Sequence, residues 1–179
     1  MGFSYASGNY TANKKLFDLY ERDGFDVTRF NIPIGLVLNP YYEWITPVGG
    51  IGAGVSVGPT AMLLVNEQTG YNNDYNFSWV VPVGLFARYA PWPKATVSPY
   101  VRAGFKYPFA GGNFESVDAG ASVAVGVEFF RNKRVGMSLE AGYDSSKINV
   151  KYTGQNLISG TVQEAVTLPG FTVALAVAF

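Results

Sequence analysis

Along most of this chain, bulky apolar residues recur at every second position. The last stretch shows it most plainly. Phe171, Val173, Leu175, Val177 and Phe179 fall on one face of an extended strand, and Thr172, Ala174, Ala176 and Ala178 on the other. A period of two is the mark of a β-strand, with successive side chains on opposite faces. The same alternation predicts strands at 2–10, 27–38, 51–66, 77–89, 97–107, 119–129 and 135–143, the seventh continuing through Ile148, Val150 and Tyr152 toward a turn at 154–160. Residues 11–25 break the rhythm. They read either as a short helix, with Asn13 as cap, Leu16, Leu19 and Tyr20 on one face and Gly24 as stop, or as an irregular loop.

The links also alternate. Strands two, four and six are followed by short links at 39–44, 91–94 and 131–133; strands one, three, five and seven are followed by longer polar ones. That rhythm predicts an all-β fold, an eight-stranded antiparallel up-and-down transmembrane β-barrel with turns at one rim and loops at the other. A membrane strand needs about 9–11 residues, and these segments reach that length. The whole chain, 1–179, reads as a single barrel domain.

Aromatic positions sharpen the picture. Trp44, Tyr89, Trp92, Phe129 and Phe179 gather near the turn ends, while Trp79, Tyr107, Tyr143 and Phe171 gather toward the loop ends. Between them the apolar face is aliphatic. Two aromatic belts around an aliphatic band suit a wall that faces lipid. The pattern resembles the small outer-membrane barrels of the OmpA/OmpX kind, which end in an aromatic as Val177-Ala178-Phe179 does. The resemblance implies a bacterial outer membrane, contact with its lipid and lipopolysaccharide, and loops on the outside. The signal peptide of such a protein is absent here, so the sequence reads as a mature form.

Composition removes whole classes of function. Thirteen basic and thirteen acidic residues give a net charge of zero, so there is no basic footprint for nucleic acid. The chain has no Cys and no His. Thiolate chemistry, the commonest general base and the commonest metal ligand are therefore missing. Lipid A acylases, deacylases and proteases of similar size call for a His beside a Ser or an acid, and Asp144-Ser145-Ser146 alone has no base to activate it. No catalytic, metal or cofactor residues are expected. Gly50-Ile51-Gly52-Ala53-Gly54 lacks the following helix that a phosphate site needs, and continues as strand.

If the bulky stripe faces lipid, the other stripe lines the interior. It carries Arg29, Arg88, Arg102, Lys106, Asp118, Glu128, Glu140 and Asp144. A narrow barrel cannot hold an unpaired charge without a desolvation cost of several kcal/mol, so these four basic and four acidic groups are expected to pair. A tight 131–133 turn would place Glu140 near Ala124 and Asp144 near Gly120, and Lys106 is expected near Asp118. Such a network is either a plug or the lining of a polar conduit. Two functions follow: a non-enzymatic, monomeric barrel with a structural or surface role, including a protein partner at its loops, or a small channel or carrier for a minor, hydrophobic solute. A protruding edge of strands seven and eight is a candidate surface for such a partner. A lipocalin-like soluble barrel, with the bulky face inward, is the third reading.

Overall fold

The structure, a computed structural model, describes residues 2–22, 26–28, 34–67, 74–131, 135–153, 161–167 and 170–178. Eight staves make up the fold. The first is β1 (Gly2–Ala6). The second is broken into β2 (Asp26–Thr28), β3 (Ile34–Val37) and β4 (Tyr41–Thr46). The third comprises β5 (Gly49–Val57) and β6 (Thr60–Glu67). Two long strands follow, β7 (Asp74–Ala90) and β8 (Val97–Gly111). The sixth stave is β9 (Phe114–Asp118) with β10 (Gly120–Phe129), the seventh β11 (Gly136–Asp144) with β12 (Lys147–Thr153), and the last β13 (Thr161–Thr167) with β14 (Gly170–Ala178).

Every ladder is antiparallel, and the circuit closes. β14 pairs with β1, and β1 with β3. From there Leu36 N–H reaches Pro59 O at 3.0 Å, and Leu38 and Val57 exchange bonds of 2.8 Å. β4 and β5 pair, β5 and β6 both pair with β7, and the order continues through β8, β10 and β11 back to β14. Above this wall β9, β12 and β13 form a small separate sheet at the loop end.

The sidedness follows the alternation. On β7, Ser78, Val80, Gly84, Phe86, Arg88 and Ala90 are buried, while Trp79, Leu85, Ala87 and Tyr89 face outward. Leu85 is 70% exposed and Phe105, its register partner on β8, is 71% exposed. Water would not tolerate a belt of this kind on a monomer; hydrocarbon would. Trp44, Trp79, Tyr89, Trp92, Tyr107, Phe129 and Tyr143 are all exposed on this outer surface.

Three expectations need correction. The first strand stops at Ala6, and Ser7–Arg22 is a helix, α1. Asn13 lies inside it and is buried, so it is not the cap; Gly24 lies outside the described residues. The stretch 39–44 is not a turn, because β4 runs to Thr46 and the chain reverses at Pro47-Val48, where Thr46 Oγ1 donates to Gly49 O at 2.7 Å. The β10–β11 register pairs Glu140 with Gly126 and Asp144 with Ser122, two residues from the expected partners. The cause is the position of the turn, which is centred further along than 131–133. An even shift keeps each side chain on its face.

α1 packs inside the loop-end mouth. Ala12, Leu16, Phe17, Leu19 and Tyr20 form one buried cluster with Val80, Phe114, Ile148 and Val150. Their spacing of three and four residues gives the helix a single apolar face. Val80, Ile148 and Val150 point inward from the seventh and fourth staves, so this face closes on the interior. Arg22 in the last turn suits the negative end of the helix dipole.

Candidate functional site

The turn-end half of the interior holds a network of charged side chains. Its hub is Arg88, only 3% exposed. Arg88 Nη1 donates to Glu43 Oε1 at 3.1 Å, and Nη2 lies 2.8 Å from Glu128 Oε2. That second contact is out of line for a hydrogen bond and is mainly Coulombic. Arg131 reaches back from the turn to the same two carboxylates, Glu43 and Glu128. Two guanidiniums and two carboxylates thus close a neutral ring. Tyr41 and Tyr100 cover the Arg88 guanidinium at 4.5 and 4.2 Å from their ring centroids, and Tyr41 Oη donates to Glu128 Oε1 at 2.9 Å.

A second pair lies alongside. Arg102 donates to Glu140 Oε1, Tyr100 Oη donates to Glu140 Oε2 at 3.0 Å, and Phe86 packs beneath the Arg102 guanidinium at 4.7 Å. Further toward the loops, Lys106 Nζ meets Asp144 Oδ2 at 3.2 Å. Arg88 and Arg102 are direct register partners on the inner face. Like charges so placed repel, and each is drawn instead to its own carboxylate.

Glycine makes this geometry possible. Glu43, Gly52 and Arg88 lie on one cross-strand row; so do Tyr41, Gly54 and Phe86, and so do Tyr100, Gly126 and Glu140. In each row two large side chains meet above a residue that has none. A Cβ on Gly126 would stand 2.4 Å from Cζ of Tyr100, and one on Gly54 2.7 Å from Cζ of Phe86. Three strands, with neighbours about 4.8 Å apart, set the distance the two side chains must bridge.

Of the eight charges expected inside, Arg88, Arg102, Lys106, Glu128, Glu140 and Asp144 lie in this network. Asp118 does not. It is exposed at the end of β9, and Lys106 pairs with Asp144 instead. Arg29 and Phe179 lie outside the described residues, as does the Phe171 side chain; in register Phe171 stands opposite Tyr143. Glu43 and Arg131 were missed because both stretches read as turns. Continuing the inward alternation Val37, Asn39, Tyr41 would have reached Glu43.

Beside the ring lies a cavity of about 710 Å³. Tyr41, Glu43, Arg88, Arg102 and Glu140 line one side of it, and Val37 and Ala176 the other. Among the described residues no cluster of His, Cys, Asp and Glu is arranged to hold a metal ion.

No family model and no curated protein matches the sequence. Among solved structures the chain is similar to the outer membrane protein OprG from Pseudomonas aeruginosa, with a TM-score of 0.60 over 86% of this chain and 80% of that one, at 13% identity. The fold is that of an outer-membrane β-barrel. At that identity the likeness speaks to architecture alone. It agrees with the exposed aliphatic band and the aromatic belts. Among the described residues no helix is long and apolar enough to cross a membrane.

Proposed function

We propose that this protein is a non-enzymatic, monomeric barrel of the bacterial outer membrane, surrounded by its lipid and lipopolysaccharide, with a structural or surface-interaction role through its loop end. The observation that carries the reading is the filled interior. The Arg88 ring and the Arg102–Glu140 pair occupy the turn-end half, and α1 with its apolar cluster occupies the loop-end mouth. A continuous water path has to cross both. The lack of His and Cys leaves no conventional nucleophile–base pair, which supports the non-enzymatic part. At the loop end, β9, β12 and β13 offer a folded platform beyond the belts, suited to contact with a protein partner.

A small channel or carrier for a minor solute is the second reading, favoured by the 710 Å³ cavity. Planar-bilayer recording separates the two. The purified barrel is expected to leave conductance at the lipid background. Discrete, reproducible current steps would replace the scaffold reading with the channel one.

A further inference from the structure

The loop-end sheet meets the wall at a break that two neighbouring staves share. β9 ends at Asp118 and β10 begins at Gly120; β11 ends at Asp144 and β12 begins at Lys147. Above the break β9, β12 and β13 form a sheet of their own. The register slips there by one residue, which leaves Val117 with no partner opposite it on β12. Such irregularities bend a strand and interrupt its ladder. The two staves also press together at this level, where a Cβ on Gly120 would collide with the Ser146 backbone.

The small sheet is held unequally at its two edges. Its β9 edge is tied down at Asn113. Asn113 N–H donates to Ser78 Oγ at 3.1 Å, Lys151 N–H donates to Asn113 O at 2.7 Å, and Asn113 Nδ2 donates to Lys151 O at 3.2 Å. The β13 edge has no strand beyond it among the described residues, because stave one leaves the wall at Ala6 to become α1. Between the edges Ile148 and Val150 share the buried cluster of Leu16 and Phe17. A sheet anchored on one edge, broken from the wall below and packed on a helix can swing on its anchored edge.

One carboxylate spans the break. Asp144, the last residue of β11, accepts from Ser146 N–H at 2.9 Å through Oδ1. Its Oδ2 meets Lys106 Nζ at 3.2 Å, so β8 grips the same group from the wall side. Ser145 adds two donors, N–H and Oγ, to Ala121 O at 3.0 and 3.1 Å. The Ser146 hydroxyl acts in the opposite sense. Ser146 is fully buried, and its Oγ has no hydrogen-bond partner among the described residues. A buried hydroxyl of this kind is penalised until water reaches it. One group at the break favours the closed position and another favours release.

We infer that β9, β12 and β13 form a lid over α1, latched at Asp144. Closed, the lid completes the apolar seal of the loop-end mouth. Open, it uncovers the apolar face of α1 and lets water reach the Ser146 hydroxyl. Regions that open locally, without unfolding the rest, are those with interrupted ladders and few bonds to their surroundings. The inference adds a moving part to the loop end and does not depend on the role proposed for that end.

The test is native-state hydrogen exchange on the whole chain folded in detergent micelles, read by mass spectrometry. In the parent, amides of β12 are expected to exchange faster than those of β10 and β11. Asp144→Ala with Lys106→Met releases the latch and leaves neither charge of the pair behind. It should speed exchange in β9 and β12 about tenfold or more, the effect of losing a hydrogen bond to a charged group, while β10 and β11 stay protected. Ser146→Ala removes the hydroxyl that favours release and should slow the same lid amides about fivefold or more. A heat-dependent gel shift verifies that each variant is folded, and Ser146→Ala decides the matter if the double variant is not. Equal acceleration across β10 and β11 would make Asp144 a support of the whole barrel and overturn the inference. So would β12 exchanging no faster than β11 in the parent, or lid exchange unchanged in either folded variant.

Discussion

Replacing Arg88 with Met is the sharpest probe of how this interior is held together. The Arg88 side chain is 2% exposed and faces Glu43 and Glu128, whose side chains are both 8% exposed. Met fills a similar volume but carries no charge. Two buried carboxylates would then share the single guanidinium of Arg131. Breaking a buried pair by removing one partner costs about 3–5 kcal/mol, mostly through the charge left behind. The two aromatic faces that sandwich Arg88 contribute about 0.5–1 kcal/mol each. The loss expected for Arg88→Met is therefore about 4–7 kcal/mol. Adding Glu43→Gln removes the surplus charge and leaves Arg131 with Glu128, so the double variant should regain about 1–3 kcal/mol over the single one. Urea unfolding in lipid vesicles, followed by tryptophan fluorescence and extrapolated linearly, gives both numbers. If Arg88→Met costs under about 1 kcal/mol, or if Glu43→Gln adds a further loss, the ring does not balance charge as described.

Two further outcomes test the other structural claims. Phe17 is almost fully buried in the α1 cluster, so Phe17→Ala should cost about 3–5 kcal/mol in the same unfolding assay, whereas Lys14→Ala on the exposed face should change little; equal effects would mean that α1 does not seal the mouth. Leu85→Arg places a charge in the middle of the exposed aliphatic band and should cost about 2–4 kcal/mol on folding into vesicles; a neutral result would mean that this face does not meet hydrocarbon.

Most of the wall was legible because its signal is redundant. A strand with one lipid-facing and one interior face repeats the same two-residue rule many times, and Leu85, Phe105, Val123 and Leu139 each restate it. Six of the eight interior charges followed from parity alone, since a shift of two residues in register leaves the face unchanged. What parity cannot supply is the position of a turn. Tyr41-Tyr42-Glu43-Trp44 has turn-rich neighbours in Asn39-Pro40, yet Pro47-Val48 is where the chain reverses, and Glu43 was lost with that choice. Arg131 was lost for a related reason. A turn residue has no alternation to place it, and its inward reach depends on Glu128, three residues back, and on Glu43, which arrives from the distant second stave. Asp118 fails in the opposite sense. It keeps the right parity but sits above the rim, where parity no longer distinguishes interior from water.

The glycine rows and the helix are two answers to one problem of space. An interior of eight staves is only just filled by side chains, so large groups from opposite directions collide unless something between them is absent. In the turn-end half the absence is local. Gly52, Gly54 and Gly126 each lie between two large residues; across Gly52, Glu43 and Arg88 neutralise one another, and across Gly126, Tyr100 donates to Glu140. In the loop-end half the solution is different, and the chain signals it. Trp79-Val80-Val81 is apolar on both faces, and on the seventh stave Ile148 and Val150 turn apolar side chains inward between Lys147, Asn149 and Lys151. A strand that is apolar inward as well as outward must meet apolar matter on both sides. Lipid supplies it outside; inside, only a segment of the chain itself can. Leu16 and Phe17 on α1 are that segment. The change of the inner face from charged to aliphatic therefore marks the depth at which the barrel stops balancing charges and starts packing a core.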